Sequence, residues 1–437
     1  MKNICLYFHV HQPILLKTYS YFEIGKNHLY FDDENNRELI RRMADRTYLP
    51  ANKILLDLIK KYNGRFRISF SISGTLIFML EKYAPDVIRS FRELAETGCV
   101  EFLSGTHAYS LASLANKEEF VEQVKLYEQK ILSLFGMTPT VFANTELIYS
   151  DDLGEVISEL GYKTVLVEGS DQALKQRSPN YIYRHPEKPQ LSILMNNFKL
   201  SEDIKADISE NISSKTPMYA ENFLLRYKSA PDEEQVFNIM IDYETFVRHH
   251  DENSCMIEFL NGLLPIIFCD PDLHFCTPSE ITENISTYSE ISIPDPVSWS
   301  AKDEGYNQNS WNDLQIEAFN KLYALKKQVK KCRDSEIMES WQWLQSSDYF
   351  FYMSSIWFEN TDLSGYFTQY ESPYIAYINY INILNDFTGL VTGNSQEDIQ
   401  KKPALNKKQP WKNSSSEEQD AMLDKKFLPV NRLRRTI

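Results

Sequence analysis

Two acidic residues follow short apolar runs that predict buried strands. Glu146 comes just after Val141-Phe142-Ala143, and Asp242 follows Ile239-Met240-Ile241. A helical pattern comes after each, so we expect both carboxylates at the carboxyl ends of strands, where α/β barrels keep their chemistry. Two converging carboxylates suit glycosidic bond cleavage, one attacking the anomeric carbon and one protonating the leaving oxygen. The competing interpretation is that each acid caps a helix or pairs with a surface lysine.

Two histidines near the amino terminus add to this pattern. His9 and His11 lie on one face of a predicted strand that Pro13 ends. The pair could be metal ligands, donors to sugar hydroxyls or packed core histidines. The metal interpretation requires a third ligand.

Several motifs in a fixed order carry a resemblance to a known family. They are 9–13 (HVHQP), 101–110 (EFLSGTHAYS), 144–149 (NTELIY), 242–246 (DYETF), 277–280 (TPSE), 297–299 (VSW), 311–318 (WNDLQIEA) and 344–348 (LQSSD). With these motifs, residues 1 to about 388 resemble glycoside hydrolase family 57, the α-amylase-like enzymes acting on α-glucans.

The resemblance implies catalytic roles. Glu146 matches the nucleophile of the family and Asp242 its general acid/base. Strand alternation alone does not choose between Asp242 and Glu244, which share a face. The choice of Asp242 therefore comes from the resemblance.

The resemblance also implies substrate contacts. His11 and His107 match positions lining a glucose subsite, and Trp299 lies in a segment near the same cleft. The family needs no metal for its chemistry, which favours a hydrogen-bonding role for His9 and His11. We therefore expect neither a metal nor another cofactor.

Some positions depart from the family pattern. Residues 247–250 are Val-Arg-His-His where close members have Gly-Glu-His-Gln. Arg is common in the family at Ala143, and His at Gln172 and Tyr349. Both carboxylates are retained, so these departures bear on subsites and activity level more than on reaction class.

Composition narrows the partners and the compartment. Hydrophobic residues make up 43% of the 437, enough for a large core, and the net charge of -15 argues against nucleic acid but not against a neutral glucan. The first strand begins almost at Met1, leaving no room for a signal peptide, and no run is long enough to span a membrane. The six scattered cysteines predict free thiols in a reducing cytoplasm, and oligomeric state stays open.

Strand and helix signals alternate through residues 1–295, which predicts a parallel β/α barrel. The strand-like runs are Ile4–His11, Arg67–Ser73, Val100–Ser104, Thr140–Asn144, Thr164–Glu168, Leu191–Met195, Val236–Asp242 and His274–Thr277. The resemblance implies an incomplete (β/α)7 TIM-like barrel, so one of these runs should lie outside it. A helix is also predicted to stop at Gly136.

Residues 296–390 predict a helical domain packed on the barrel, and in the family such a domain walls one side of the cleft. Trp311, Asp348 and Trp357, with Trp299, are its candidate cleft residues. Residues 391–437 turn polar and predict a disordered tail.

The expected protein is a cytoplasmic retaining α-glucan hydrolase of the α-amylase type, acting on glycogen, starch or maltodextrin. A 4-α-glucanotransferase or branching enzyme of the same family would differ only in the acceptor. Two different classes of protein also stay open. One is a catalytically weak glucan-binding protein, and the second is a metal-dependent deacetylase that uses His9 and His11 as ligands.

Overall fold

The barrel strands form a ring in which neighbouring strands are parallel. The computed structural model describes residues 2–210, 219–246, 255–298, 311–332, 334–354 and 369–393. Its strands are β1 Lys2–Val10, β2 Ile68–Ile72, β3 Val100–Phe102, β4 Val141–Ala143, β5 Thr164–Glu168, β6 Ile182–Arg184, β7 Ser192–Asn196, β8 Val236–Asp242, β9 Leu273–Phe275 and β10 Ser289–Glu290. All eight runs predicted from the sequence contain strands, whereas the short β6 and β10 were not predicted.

Parallel pairing closes the ring in the order β1-β2-β3-β4-β5-β7-β8 and back to β1. The β3–β4 contact is a bridge between Ser104 and Phe142, and β7 meets β8 at the single pair Asn196–Asn238. Strand β9 pairs only with the amino-terminal part of β1. The predicted incomplete seven-stranded barrel is thus confirmed, with β9 as the run outside it.

Side chains alternate between the inside and the outside of this ring. On β1, Phe8 packs in the large core beneath the surrounding helices, whereas Tyr7 belongs to the interior cluster with Leu166 and Met240. His9 and His11 share the parity of Tyr7, and Asp242 shares that of Met240. Both histidines and the carboxylate therefore face the barrel interior at its carboxyl end.

Helices surround the barrel strands in the described residues. They are Asp33–Met43, Leu49–Lys61, Gly74–Tyr83, Pro85–Glu96, Ala112–Ala115, Lys117–Phe135, Asp151–Glu159, Asp171–Leu174, Phe198–Glu210, Tyr219–Ser229, Cys255–Cys269 and Pro278–Asn284. The helix Lys117–Phe135 ends at Gly136, which takes the left-handed conformation with φ 70° that a helix C-cap favours, as predicted.

The carboxyl-terminal part of the described chain is helical. Its helices are Asp313–Ala324, Lys326–Val329, Ser335–Leu344, Ser347–Phe351 and Pro373–Thr392. The Nζ of buried Lys326 lies 3.4 Å from the carboxylate of Glu119 on the helix Lys117–Phe135, and Gln345 donates to the same carboxylate at 3.0 Å. These buried polar contacts join the helical part to the barrel. Of the predicted tail, residues 394–437 lie outside the described residues.

Two further sequence predictions can be compared with the described part of the chain. Cys5, Cys99, Cys269, Cys276 and Cys332 are free thiols. Among the described helices, none combines the length and the apolar character needed to cross a bilayer.

Candidate active site

Glu146 sits on a strained turn directly after β4. Its φ and ψ of 56° and 22° are left-handed, and Leu147 follows with φ 49°. Such a conformation costs a side-chain-bearing residue of the order of 1 kcal/mol and persists only where surrounding contacts enforce it. The Asn144 side chain donates to the Ile148 carbonyl at 2.9 Å, and the Thr145 hydroxyl bonds that of Thr106 at 2.8 Å. The turn holds Glu146 largely buried at the carboxyl end of β4.

Asp242 is the last residue of β8, and its backbone pairs with His9 of β1. The side chain faces inward and is partly exposed, so it combines solvent access with a place in the barrel mouth. Two residues further on, Glu244 accepts a hydrogen bond from the Gln12 side chain. The Gln12 side chain thus holds the carboxylate of Glu244, the second acid of this motif.

Three rings form a stack beside these carboxylates. The centroid of the Tyr109 ring lies 3.9 Å from that of His11 at an interplanar angle of 25°, and 5.5 Å from that of His9. The Tyr109 hydroxyl is 3.1 Å from His9 Nε2. Tyr109 itself has a φ of 50°, so its backbone is also left-handed. Both histidines are therefore held in fixed ring orientations.

His11 forms an ion pair with Asp348 of the helical part, with Nε2 and Oδ1 2.9 Å apart. Burial lowers the pKa of His11, but the charge and hydrogen bond of Asp348, with the charges of Glu146 and Glu244, outweigh it and raise the pKa. For Asp348 burial acts in the other direction and raises the pKa. The charge and hydrogen bond of His11, with a hydrogen bond from Ser346, outweigh burial, so the pKa of Asp348 is lowered from its ordinary value. Both pKa shifts favour the ion pair of protonated His11 with ionised Asp348. The contribution of Glu146 to the pKa of His11 shows that these two side chains lie within electrostatic reach of each other.

The pKa of His107 is shifted in the opposite direction from that of His11. Burial, with a smaller effect of Lys130, lowers its pKa to about 4. Its ring centroid lies 5.1 Å from that of Trp343. Gly74 packs so closely on this segment that an added Cβ would lie 1.8 Å from the His107 carbonyl oxygen. His107 is thus neutral near pH 7, on a backbone position that requires glycine at its neighbour.

The structure brings together most of the residues singled out from the sequence. Glu146, Asp242, Glu244, His9, His11 and Asp348 surround the mouth of the barrel. Trp311, by contrast, packs against Phe319 and Phe350, at ring-centroid distances of 5.0 and 6.2 Å. Trp299, Trp357 and residues 247–250 lie outside the described residues.

Two contributors to the site were missed from the sequence. Tyr109 lies inside the quoted motif of residues 101–110, and Gln12 follows His11 directly, but neither residue type signals a contact with a ring or a carboxylate. Within the described ranges, no three His, Cys, Asp or Glu side chains form a group that could hold a metal ion. The described site is a cluster of carboxylates and imidazoles.

The parallel barrel with acidic side chains at the carboxyl ends of its strands defines the class of fold, an incomplete α/β barrel, and comparison gives the family. Residues 5–294 match the family described as Glycosyl hydrolase family 57. A relative from Methanocaldococcus jannaschii, described as "Putative alpha-amylase", is 32% identical over 396 residues, covering 87% of this chain and 83% of the relative. The chain belongs to glycosyl hydrolase family 57 and is an amylase-like glycoside hydrolase.

Solved structures agree on the fold. A family 57 branching enzyme from Pyrococcus horikoshii has a TM-score of 0.66 at 14% identity, covering 91% of this chain and 93% of that one. A 4-alpha-glucanotransferase from Thermococcus litoralis has a TM-score of 0.63 at 13% identity, covering 89% of this chain. This chain spans 60% of the glucanotransferase's length.

Proposed function

We propose that the protein is a retaining α-glucan hydrolase of the α-amylase type that cleaves α-1,4 bonds by double displacement. The observation that supports the proposal is that Glu146 follows β4 and Asp242 ends β8, so both acids come from the carboxyl ends of strands in one parallel barrel. The names of the relatives, an alpha-amylase, a branching enzyme and a glucanotransferase, support an α-glucan as the substrate.

The first displacement forms a glycosyl-enzyme. A Glu146 carboxylate oxygen attacks the anomeric carbon while the bond from that carbon to the glycosidic oxygen breaks. Asp242 gives its proton to the departing oxygen, so the leaving glucan is released as an alcohol. At the end of this step Glu146 is an ester and Asp242 is ionised.

The second displacement restores the enzyme. Asp242 takes a proton from water while the water oxygen attacks the anomeric carbon, and the ester bond to Glu146 breaks. Two inversions give net retention. A sugar hydroxyl in place of water would give transfer or branching by the same proton movements.

The histidines have a supporting role in this proposal. His11 Nδ1 has no protein partner in the described part of the chain, while Nε2 is held by Asp348. A protonated His11 can therefore donate a hydrogen bond to a sugar hydroxyl from a fixed position. Because Asp348 belongs to the helix Ser347–Phe351, the contact also supports a helical domain of residues 296–390 walling one side of the mouth.

Incubation of the purified protein with maltoheptaose tests the function. We expect shorter maltooligosaccharides with one new reducing end per bond cleaved. Longer linear products at constant reducing ends would indicate a 4-α-glucanotransferase, and new α-1,6 bonds a branching enzyme. Binding without turnover would contradict the proposal and favour a glucan-binding protein.

A further inference from the structure

A buried glutamine connects the two segments that flank His11. Gln123 belongs to the helix Lys117–Phe135, and only 1% of it is exposed. It lies outside the motifs that carry the family resemblance, and neither displacement uses it. A side-chain amide is costly to bury unless its donors and acceptors are paired. Gln123 is fully paired, because its Oε1 accepts two hydrogen bonds and its Nε2 donates two.

The carbonyl oxygen of Gln123 binds on both sides of a strained residue, Tyr109. Gln123 Oε1 accepts from the backbone N–H of Ala108 at 3.3 Å and from the Ser110 hydroxyl at 2.8 Å. Tyr109, between them, has the left-handed φ of 50°. A bulky residue keeps such a conformation only where surrounding contacts enforce it. Gln123 therefore helps to fix the loop after β3 that presents the Tyr109 ring to His11, residues 103–111, called here the Tyr109 loop.

The amide nitrogen of Gln123 reaches the helical part of the chain. Gln123 Nε2 donates to Gln345 Oε1 at 2.9 Å and to Glu119 Oε1 at 3.1 Å. Gln345 Nε2 donates to the same Glu119 oxygen at 3.0 Å, and all three side chains are buried. Gln345 begins the Asp348 segment, residues 345–348, in which the Ser346 hydroxyl donates to the Asp348 carboxylate. The amide network of Glu119, Gln123 and Gln345 thus ends three residues from the partner of His11.

Backbone contacts join the same two segments. The Ser347 N–H donates to the Tyr109 carbonyl at 2.9 Å, and Ser110 and Ser346 form an isolated antiparallel bridge. A single bridge constrains its two segments much less than a ladder of several strands does. The amide network adds side-chain contacts to this bridge, so the Tyr109 loop and the Asp348 segment are held together at two levels.

His11 lies between these two segments. The Tyr109 ring stacks on the His11 ring at a centroid distance of 3.9 Å, and Asp348 Oδ1 is 2.9 Å from His11 Nε2. A change in the spacing of the two segments would therefore alter the stack or the ion pair. Misplacement of a group at a reacting centre by about 1 Å can cost on the order of 100-fold in rate. The spacing that the amide network sets is thus relevant to turnover.

We propose that Gln123 is a positioning residue for His11: by tying the Tyr109 loop to the Asp348 segment, it sets the orientation in which His11 donates to the sugar. The inference rests on the proposed function, because it takes His11 to be a donor to the substrate. Gln123 acts through Tyr109 and Asp348 and not by contact with the substrate. A fully paired polar network suits this role, because it specifies one geometry where apolar packing accepts several.

A double-mutant cycle on kcat/KM for maltoheptaose tests the inference. Gln123→Met keeps the length and approximate volume of the side chain but removes its hydrogen bonds, and kcat/KM should fall by roughly 10- to 100-fold. In a His11→Ala background the same substitution should change kcat/KM by less than about twofold, because the group that it positions is gone. Equal fold losses in the two backgrounds would overturn the inference and show that Gln123 supports only the general fold.

Asn379→Leu is the matched control for this cycle. Asn379 is also a buried amide that joins the helical part to a barrel loop, since it accepts from the Tyr19 N–H at 2.6 Å and donates to the Lys17 carbonyl at 3.0 Å. Its loss should lower the free energy of unfolding, as in Gln123→Met, while kcat/KM stays within about twofold of the wild type. A loss of kcat/KM in Asn379→Leu as large as that in Gln123→Met would overturn the specific role of Gln123.

A second measurement does not depend on turnover. Nitrogen NMR of histidine-labelled protein, with the His11 signals identified by their loss in His11→Ala, gives the titration midpoint of His11. Burial lowers the pKa of this ring and the acids Asp348, Glu146 and Glu244 raise it, with a net rise, while the rings of His9 and Tyr109 pack on it. The wild-type midpoint should therefore lie above the ordinary value of about 6.5.

The variants should separate in this titration. Gln123→Met should lower the His11 midpoint, because a loosened Asp348 contact favours the protonated ring less, and Asn379→Leu should leave it unchanged. An unmoved midpoint in Gln123→Met would overturn the inference. A wild-type midpoint at or below the ordinary value would do so even if neither variant folds, because His11 would then not be held against Asp348. Failure of maltoheptaose turnover would refute the proposed function, while the titration would still decide whether Gln123 positions His11.

Discussion

Acidic side chains at the two ends of the barrel have different surroundings. At the amino end, Glu101 accepts a hydrogen bond from the backbone N–H of Ser279, and Glu280 caps its own helix and forms an ion pair with Arg67 at 2.7 Å. At the carboxyl end, Glu146 stands on a left-handed turn within electrostatic reach of His11 and other acids. The amino end supplies donors and a cation for its carboxylates, whereas the mouth gathers carboxylates around two histidines.

This difference separates stability from reactivity. A capping box and an ion pair each contribute about 1 kcal/mol or less to folding, while a left-handed non-glycine residue costs about that much. Replacement of an acidic residue should therefore affect a different property, stability or turnover, at each end of the barrel. Substitution of Glu280 at the amino end should lower stability with little change in turnover, and substitution of Glu146 or Asp242 at the mouth should lower turnover with little change in stability.

The sharpest test of this contrast is Glu146→Gln. The amide keeps the shape of the side chain but cannot attack the anomeric carbon, so turnover of maltoheptaose should fall by roughly 10⁴-fold or more. Binding of maltooligosaccharide, measured by calorimetry, should persist, and the free energy of unfolding should be unchanged or higher. Glu280→Gln is the control at the other end and should lose stability while keeping turnover. Wild-type-like turnover in a Glu146→Gln preparation shown to be free of contaminating enzyme would end the nucleophile assignment.

Asp242→Ala should give the next largest effect, and one that depends on the leaving group. Activity on maltodextrin should nearly vanish, whereas an activated aryl or fluoride α-glucoside should still form the glycosyl-enzyme because its leaving group needs no proton. Azide, a small nucleophile that needs no base, should then accelerate release as the α-configured glycosyl azide, identified by NMR. A β-configured azide would contradict retention with Asp242 as the acid/base.

A smaller loss is expected for His11→Ala. Removal of a buried donor to the reacting sugar should cost a few kcal/mol of transition-state stabilisation, measured as kcat/KM. Chelator treatment of the wild type should leave its activity unchanged if His9 and His11 act by hydrogen bonding. Reversible inactivation by chelator, restored by zinc, would instead favour metal binding by the histidines.

The smallest effect concerns stability and pH at the mouth. Folding raises the pKa of His11, so its contribution is present below the unfolded value of about 6.5 and is lost as the pH rises through the folded value. Folding lowers the pKa of Asp348, so its contribution is present above about 4 and is lost as the pH falls through the folded value. The stability difference between wild type and Asp348→Asn should therefore be greatest between about pH 4 and 6.5, at roughly 1 to 3 kcal/mol, and decline on both sides. Urea titrations across this range measure it, and a difference independent of pH would show that the ion pair is not its source.

Local pattern was sufficient for much of the barrel. Buried parallel strands are continuous apolar runs, so Thr164–Glu168 and Val236–Asp242 were predicted with the bounds that the structure gives. The short strands β6 and β10 were missed because three- and two-residue strands carry too little pattern. The rule that singled out Glu146 and Asp242, an acid at the end of a buried strand, applies equally to Glu168, so the rule alone does not select the pair.

The remaining parts of the site depend on contacts between distant residues. His11 and Asp348 are 337 positions apart, and no local signal pairs them. The left-handed turn at Glu146 contains neither glycine nor asparagine at its strained positions, so sequence gives no sign of it. Such features arise from tertiary packing, which overrides local preference.

The closure of the ring has a consequence for folding during synthesis of the chain. The first strand pairs with β8 from Asn3 to His9, so the amino terminus must wait for residues more than two hundred positions later before that edge is covered. During synthesis β1 leaves the ribosome long before its partner, with β2 as the first neighbour available to it. Because Asp242 ends the strand that completes the ring, a nascent or truncated chain lacking β8 exposes a strand edge and has no mouth.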